Sequence, residues 1–525
     1  MLSPYCVEQP EIILPAKRKL EQIDSTMQFA GFSITQTDKK QEEPPTNEVL
    51  VKVLRTRPVG AKRSLLVHNS SIHSVMKGMY NVLKSSLDPG VSEQIRKKLT
   101  VTPHASGPGP SPSPYPVFRE TKSWLCVPRY FGLETFGPPT QDQMAEGTPI
   151  HISLADGIAP RPYQTQVLDV LVSVLGKKHV GNGAFLEAQC GLGKTNMAIF
   201  LMVRLQVKVA VLVHKGDLME QWKERIEQCT NARVGTVRGP KVDTEDKDIV
   251  LFMAQSVYCG DYDPSMFAEF GLVVVDESHH WAAQTLSKTV PHFPSRRILA
   301  VTATPDRKDK LEKVLYWYFG TTVARVRRNT ANLPENKKVQ VRVVSLPSHD
   351  GCATRIPVLT RAVTQICEDQ LRNRMIARMV REFRAQGRYI MVMSERRKHL
   401  VELQQVLKEE GLDEAHVGLY VGESTKRGVE KREKNKTLPI LLASNRMAKE
   451  GMDVKRLDTL ILATPQSDIR QSVGRIQRDC PGKKQPLVVD LYDVYCAGIV
   501  HGMHRKRQSF YKELGFTISN TKYTF

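Results

Sequence analysis

The stretch Gly183-Ala-Phe-Leu-Glu187, followed by Ala188-Gln189-Cys190-Gly191-Leu192-Gly193-Lys194-Thr195, decides how the rest of the chain is read. A short apolar run ends in a glycine-rich turn, and a helix-length segment from Asn196 to Leu205 follows. Strand, turn and helix in that order are the context a phosphate-binding loop needs. Gly191 and Gly193 let backbone N–H groups close on phosphate oxygens, and the helix N-terminus adds partial positive charge. Ala188, Gln189, Cys190 and Leu192 complete the loop. Lys194 is expected to reach the β- and γ-phosphates of ATP, and the Thr195 hydroxyl to ligate Mg²⁺. Ala188 stands where the strict motif has Gly, so the loop needs support from elsewhere in the chain.

That support lies downstream. Asp276-Glu277-Ser278-His279 directly follows the apolar run Leu272 to Val275, which puts its carboxylates at the C-terminal edge of a parallel strand, where open α/β sheets hold ligands. Asp276 is expected to orient Mg²⁺, and Glu277 to position and deprotonate the attacking water. An acidic turn alone could be solvated surface; behind a phosphate loop it reads as the second half of one site. His280 reads as a plain polar residue. Upstream, Arg161-Pro-Tyr-Gln164 offers a side-chain amide able both to donate to and to accept from an adenine edge. In the second half, Gln471-Ser-Val-Gly-Arg475-Ile-Gln-Arg478 puts two arginines on one helix face. Taken alone they describe a solvated basic helix. Opposite a nucleotide in another lobe they become fingers on the γ-phosphate.

Working outward, the same texture repeats. Val209–Val213, Ile249–Met253, Leu272–Val275 and Ile298–Val301, then Tyr389–Met393, Ile440–Ala443 and Thr459–Ala463, are short apolar runs separated by helix-length segments. Consecutive apolar positions mark strands buried on both faces. The expected fold is α/β: two tandem RecA-like doubly wound parallel-sheet domains behind an irregular N-terminal extension. The expected divisions are 1–150 as a partly disordered accessory region, 151–332 as the ATP-binding lobe and 333–525 as the second lobe. Asn329 to Lys338 reads as a polar linker. Gly107 to Pro116 is low-complexity loop, whereas Trp124 to Gly132 is apolar enough to fold.

Composition narrows the partner. Lys and Arg number 76 against 55 Asp and Glu, a formal charge of +21, which favours polyanions through counterion release. The nine cysteines show no close zinc or redox pairing, as expected in a reducing compartment. With no membrane-length apolar run and no secretory-type start, the reading is a soluble intracellular protein with no membrane partner.

In order, RPYQ, AQCGLGKT, VLVHKGDLMEQW, MAQS, DESH, TATP, MVMSERR, GLYVGES, ASNRMAKEGMD and QSVGRIQR cover about residues 161 to 478. This ordered set resembles the superfamily 2 helicases of the DExH type. Within them it is most similar to the branch of the transcription-repair helicase XPB and the helicases of large DNA viruses, the poxvirus transcript-release type in particular.

The resemblance implies further roles. Thr302, Ala303 and Thr304 look like the hinge that links hydrolysis to domain movement, with His279 reaching Gln471 across the cleft. Gly451 and Asp453 would lie nearest ATP. Strand contacts would come from His214, Lys215, Gln255 and Ser256 in the first lobe and Ser394, Arg396, Gly422 and Ser444 in the second. Trp222 is a candidate base-stacking residue, but its spacing from Leu218 favours core. The expected activity is ATP-driven 3′-to-5′ movement on nucleic acid, DNA over RNA, alongside transcription or repair machinery. Host nucleus, cytoplasmic virus factory or virion are the settings it implies for a viral protein. The alternatives are an ATP-gated clamp and a duplex translocase that does not separate strands.

Overall fold

The computed structural model describes residues 6–7, 49–55, 57–58, 72–104, 112–176, 182–281, 288–303, 310–347, 358–423, 425–449, 452, 454–496 and 498–523. The apolar runs of the first half become the parallel strands Asn182–Ala188, Val209–Val213, Ile249–Met253, Leu272–Val275 and Arg297–Thr302. Apart from Arg297 every residue in them is buried, because helices cover both faces of the sheet. Val209–Val213 lies between Ile249–Met253 and Leu272–Val275, and Asn182–Ala188 between Arg297–Thr302 and Thr322–Arg328.

The nine-stranded sheet ends in an antiparallel strand that the sequence reading had left in the irregular extension. Val49–Arg55 pairs with Thr322–Arg328, from Arg55 opposite Thr322 to Val49 opposite Arg328. A separate five-stranded sheet, with Ser74–Lys77, Met79–Leu83 and Trp124–Val127 at its centre, precedes the first lobe. It is pinned by the buried Arg129, whose guanidinium donates to the Gly78 carbonyl at 3.1 Å and to the Phe293 carbonyl at 2.9 Å.

The second lobe is a seven-stranded sheet in the order Val417–Tyr420, Ile440–Ser444, Ile390–Ser394, Thr459–Leu462, Leu487–Asp493, Gln340–Leu346 and Thr517–Lys522, with every neighbour parallel. Two doubly wound parallel lobes in tandem are therefore the architecture. The polar segment between them takes two single turns, Thr330–Asn332 and Glu335–Lys337, before entering Gln340–Leu346. Inside the second lobe Arg372 pairs with Asp493 at 2.7 Å, both buried, and Arg507 pairs with Asp490 at 2.8 Å. Among the described residues no helix is long and apolar enough to cross a membrane.

The lobes meet along one seam. The Arg161 guanidinium reaches Asp479 at 3.4 Å, Arg432 reaches Asp217 at 3.7 Å, and Arg328 donates to the Gln477 carbonyl at 2.9 Å. The seam faces the C-terminal ends of the first lobe's parallel strands, so loops from several strands converge there.

Candidate nucleotide site and strand track

The phosphate loop leaves Asn182–Ala188 and enters the helix Lys194–Leu205. Gly191 (φ 86°) and Gly193 (φ 77°) both adopt left-handed backbone, which is why glycine stands at each. The loop is tied to its neighbours: Gln189 N–H donates to the Val326 carbonyl at 3.1 Å, and Gln189 Oε1 accepts from Arg328 N–H at 2.9 Å. Tyr163 Oη donates to the Leu192 carbonyl at 3.1 Å. Gln164 is buried, with Oε1 accepting from the Arg161 N–H at 2.9 Å and Nε2 3.5 Å from the Leu192 carbonyl. Its amide thus braces the loop from behind.

Asp276 and Glu277 follow Leu272–Val275 at the same edge. Glu277 holds φ 45°, a left-handed conformation rare for a residue with a side chain. Such strain concentrates where a side chain has to be aimed. Burial, reinforced by the adjoining Glu277 charge, pushes the Asp276 carboxyl up to about 6. For Glu277 burial pulls the same way, but the charges of Lys194, His279, His280 and Arg475 outweigh it and hold the carboxyl below its usual range. Glu277 Oε2 is buried and, among the described residues, has no hydrogen-bond partner, with His279 Nδ1 3.3 Å away. Burial chiefly holds the imidazoles of His214 down at about 4 and His280 at about 3, so both are neutral near pH 7.

A cleft of about 620 Å³ gathers most of the predicted nucleotide residues. Arg161, Gln164, Cys190 to Thr195, Asp276 and Glu277 line it from the first lobe, and Gln471, Arg475 and Arg478 from the second. Arg475 is braced by donating to the Met452 carbonyl at 2.8 Å. Oxygen donors from Thr195 and Asp276 on one cleft wall suit a hard cation such as Mg²⁺ that takes its remaining ligands from phosphate and water. Thr304, Gly451 and Asp453 lie outside the described residues.

Several placements differ from the sequence reading. His280, expected to be a bystander, lines the cleft and packs on His214 with ring centroids 4.7 Å apart. His279 Nδ1 sits 3.1 Å from the Thr302 hydroxyl and 3.3 Å from Glu277. Ala303 is buried just beyond Thr302. Trp222 is buried, as its spacing implied, yet it is not merely core: its Nε1–H donates to Asp276 Oδ2 at 2.9 Å. Arg328 and Gly474, which the sequence reading gave no role, both lie against Gly191.

The residues read as strand contacts sit at strand ends in both lobes. His214 and Lys215 follow Val209–Val213, and Gln255 donates to the His214 carbonyl at 3.2 Å. Ser256 Oγ accepts from the Gly239 N–H at 2.7 Å. Arg396 and the exposed Gly422 follow Ile390–Ser394 and Val417–Tyr420, and Ser444 ends Ile440–Ser444. Ser394 is a correction. It is fully buried with its hydroxyl 2.9 Å from His399 Nδ1, so its side chain faces the core and not a strand.

Comparison with known proteins places this geometry. A family model described as the type III restriction enzyme res subunit matches residues 157–307. The chain is 27% identical over 432 residues to an Acanthamoeba polyphaga mimivirus protein named as an ATP-dependent RNA helicase, covering 79% of this chain and 80% of the relative. It is 24% identical over 365 residues to the transcript termination protein of rabbit fibroma virus, covering 64% and 74%. Among solved structures, an ATP-dependent type ISP restriction-modification enzyme bound to DNA matches with a TM-score of 0.50 at 13% identity, over 70% of this chain and 31% of that one. That last likeness is one of fold.

Proposed function

We propose that the chain, similar to helicases of large DNA viruses, is a superfamily 2 helicase and ATPase that works as a 3′-to-5′ motor on a DNA strand and serves transcription, replication or repair. The observation that carries the motor reading is the composite cleft, with Lys194 and Glu277 on one lobe and Arg475 and Arg478 on the other.

Lys194 holds the β- and γ-phosphates at the start of its helix. Thr195 and Asp276 would hold Mg²⁺, which would neutralise phosphate charge. Glu277, kept ionised by the surrounding cations, orients and deprotonates water at the cleft wall. Arg475 and Arg478 meet the γ-phosphate from across the cleft, so its loss removes the link between lobes. His214, Lys215, Gln255 and Ser256 then shift relative to Arg396, Gly422 and Ser444, and the strand moves by one grip. Contacts of this kind, made to phosphate and sugar, are nearly blind to base sequence.

Steady-state ATPase with single-stranded DNA, duplex DNA, RNA and RNA–DNA hybrid, on wild type and Lys194→Ala, tests the reading. Strongest stimulation by single-stranded DNA supports it, and no stimulation by any ligand leaves only a nucleotide-gated clamp. The restriction-subunit description of the matching family model favours a second reading, translocation on duplex without strand separation. Activity in triplex displacement but not in strand displacement would establish that reading.

A further inference from the structure

Two buried indoles hold Asp276. Trp222 Nε1–H donates to its Oδ2 at 2.9 Å, and Trp281 Nε1–H donates to its backbone carbonyl at 3.0 Å. Trp222 is 2% exposed and Trp281 1%, so no water competes for either bond. A carboxylate placed to hold a metal is thereby fixed at both ends, side chain and main chain. The bond from Trp222 is charge-assisted whenever Asp276 is ionised, which strengthens it and narrows the carboxylate's orientation.

The two indoles differ in where they are rooted. Trp281 lies five residues after Asp276, in the same loop. Trp222 belongs to the helix Gly216–Cys229, fifty-four positions away in sequence, and that helix begins on Lys215. The Lys215 carbonyl accepts the helix's first hydrogen bond, from the Met219 N–H at 3.2 Å. Leu218, Met219, Trp222 and Ile226 are all buried against the sheet, so the helix moves as one body. Any displacement of the His214–Lys215 turn is therefore delivered, two helical turns later, to Asp276 Oδ2.

We propose that Trp222 is the positioning residue through which a strand held at His214 and Lys215 sets the Asp276 carboxylate for its metal. This rests on the motor reading above. Phe at 222 keeps the ring in the core but removes the donor.

The test is Trp222→Phe in the full chain. Stimulation of ATPase by single-stranded DNA is read beside the Mg²⁺-dependent gain in affinity for a fluorescent non-hydrolysable ATP analogue and the melting temperature. Stimulation and the Mg²⁺-dependent gain should each fall about 10–100-fold, as for other residues that orient a metal ligand. Strand affinity without nucleotide and melting temperature should stay near wild type. Full stimulation and an unchanged Mg²⁺ effect would overturn the proposal.

If the variant melts early, the unsubstituted protein still decides. Its four tryptophans give four indole N–H signals, and at least one should move both when Mg²⁺ joins the analogue and when a strand is added. None responding to both additions overturns the proposal. A wild type that no strand stimulates would instead refute the motor reading, which keeps the two failures distinct.

Discussion

A β-carbon at Gly474 would stand 2.1 Å from the Cys190 β-carbon, closer than any real pair of side chains approaches. The second lobe's arginine helix therefore rests directly on the phosphate loop, and glycine at 474 is what lets it do so. We expect Gly474→Ala to hold the lobes apart. Strand-stimulated ATPase should drop by about a hundredfold, the scale on which small misplacements act, while nucleotide affinity changes little. Cys190→Gly removes the opposing β-carbon, so the double variant should regain activity that Gly474→Ala lost. Absence of any recovery would show that the contact is not what limits closure.

Arg475 contributes in two ways. It lines the cleft opposite Lys194, and its charge helps hold Glu277 ionised. Arg475→Ala is expected to lower the turnover number by about 10³–10⁵, the range of arginine fingers elsewhere, with binding of a non-hydrolysable analogue preserved. Arg475→Lys keeps a charge but not the planar fork and should remain impaired. A Lys variant with wild-type turnover would mean that charge alone suffices.

How far the sequence discloses this depends on the range of the signal. Runs such as Val209–Val213 and Ile249–Met253 fall on the strands to the residue, because full burial on both faces leaves no polar position to blur them. Thr322–Arg328 alternates apolar and basic residues beside a covered edge, and Val49–Arg55 is recruited from some 130 positions upstream of its sheet's next strand in sequence, so neither has a local signature of its place. The phosphate loop and the acidic pair are legible because their chemistry needs neighbours in sequence. The Trp222–Asp276 bond and the Gly474–Cys190 contact are tertiary, and no spacing encodes them. Ser394, placed on the strand track by the resemblance, is withdrawn from it by another contact that no motif encodes, its hydroxyl 2.9 Å from the buried His399 imidazole.

Lys215 carries the electrostatic part of the strand reading. Each phosphate neutralised on a single strand contributes a slope of about −0.7 in log affinity against log salt. Lys215→Ala should flatten that slope by about one such unit and weaken binding equally on unrelated sequences. An unchanged slope would remove Lys215 from the track.

The second lobe should lose stability in acid through His399. Burial chiefly, with the Arg372 charge adding to it, depresses this imidazole to about 3. Its nitrogens are engaged, Nδ1 with Ser394 and Nε2 2.9 Å from Asn373 Oδ1, so the neutral ring is built into the core. The unfolded chain takes up a proton near the usual value of about 6.5, the folded lobe only near 3. Between those values the unfolded state binds more protons, so stability falls as pH falls, by about 1.4 kcal/mol for each unit at most. By pH 5 that is about 2 kcal/mol from this one residue. Urea unfolding followed from pH 7.5 to 5 should show the midpoint falling in wild type. In His399→Gln, whose amide cannot titrate, the curve should start lower and run flatter. Equal slopes in the two proteins would assign the acid sensitivity to other groups.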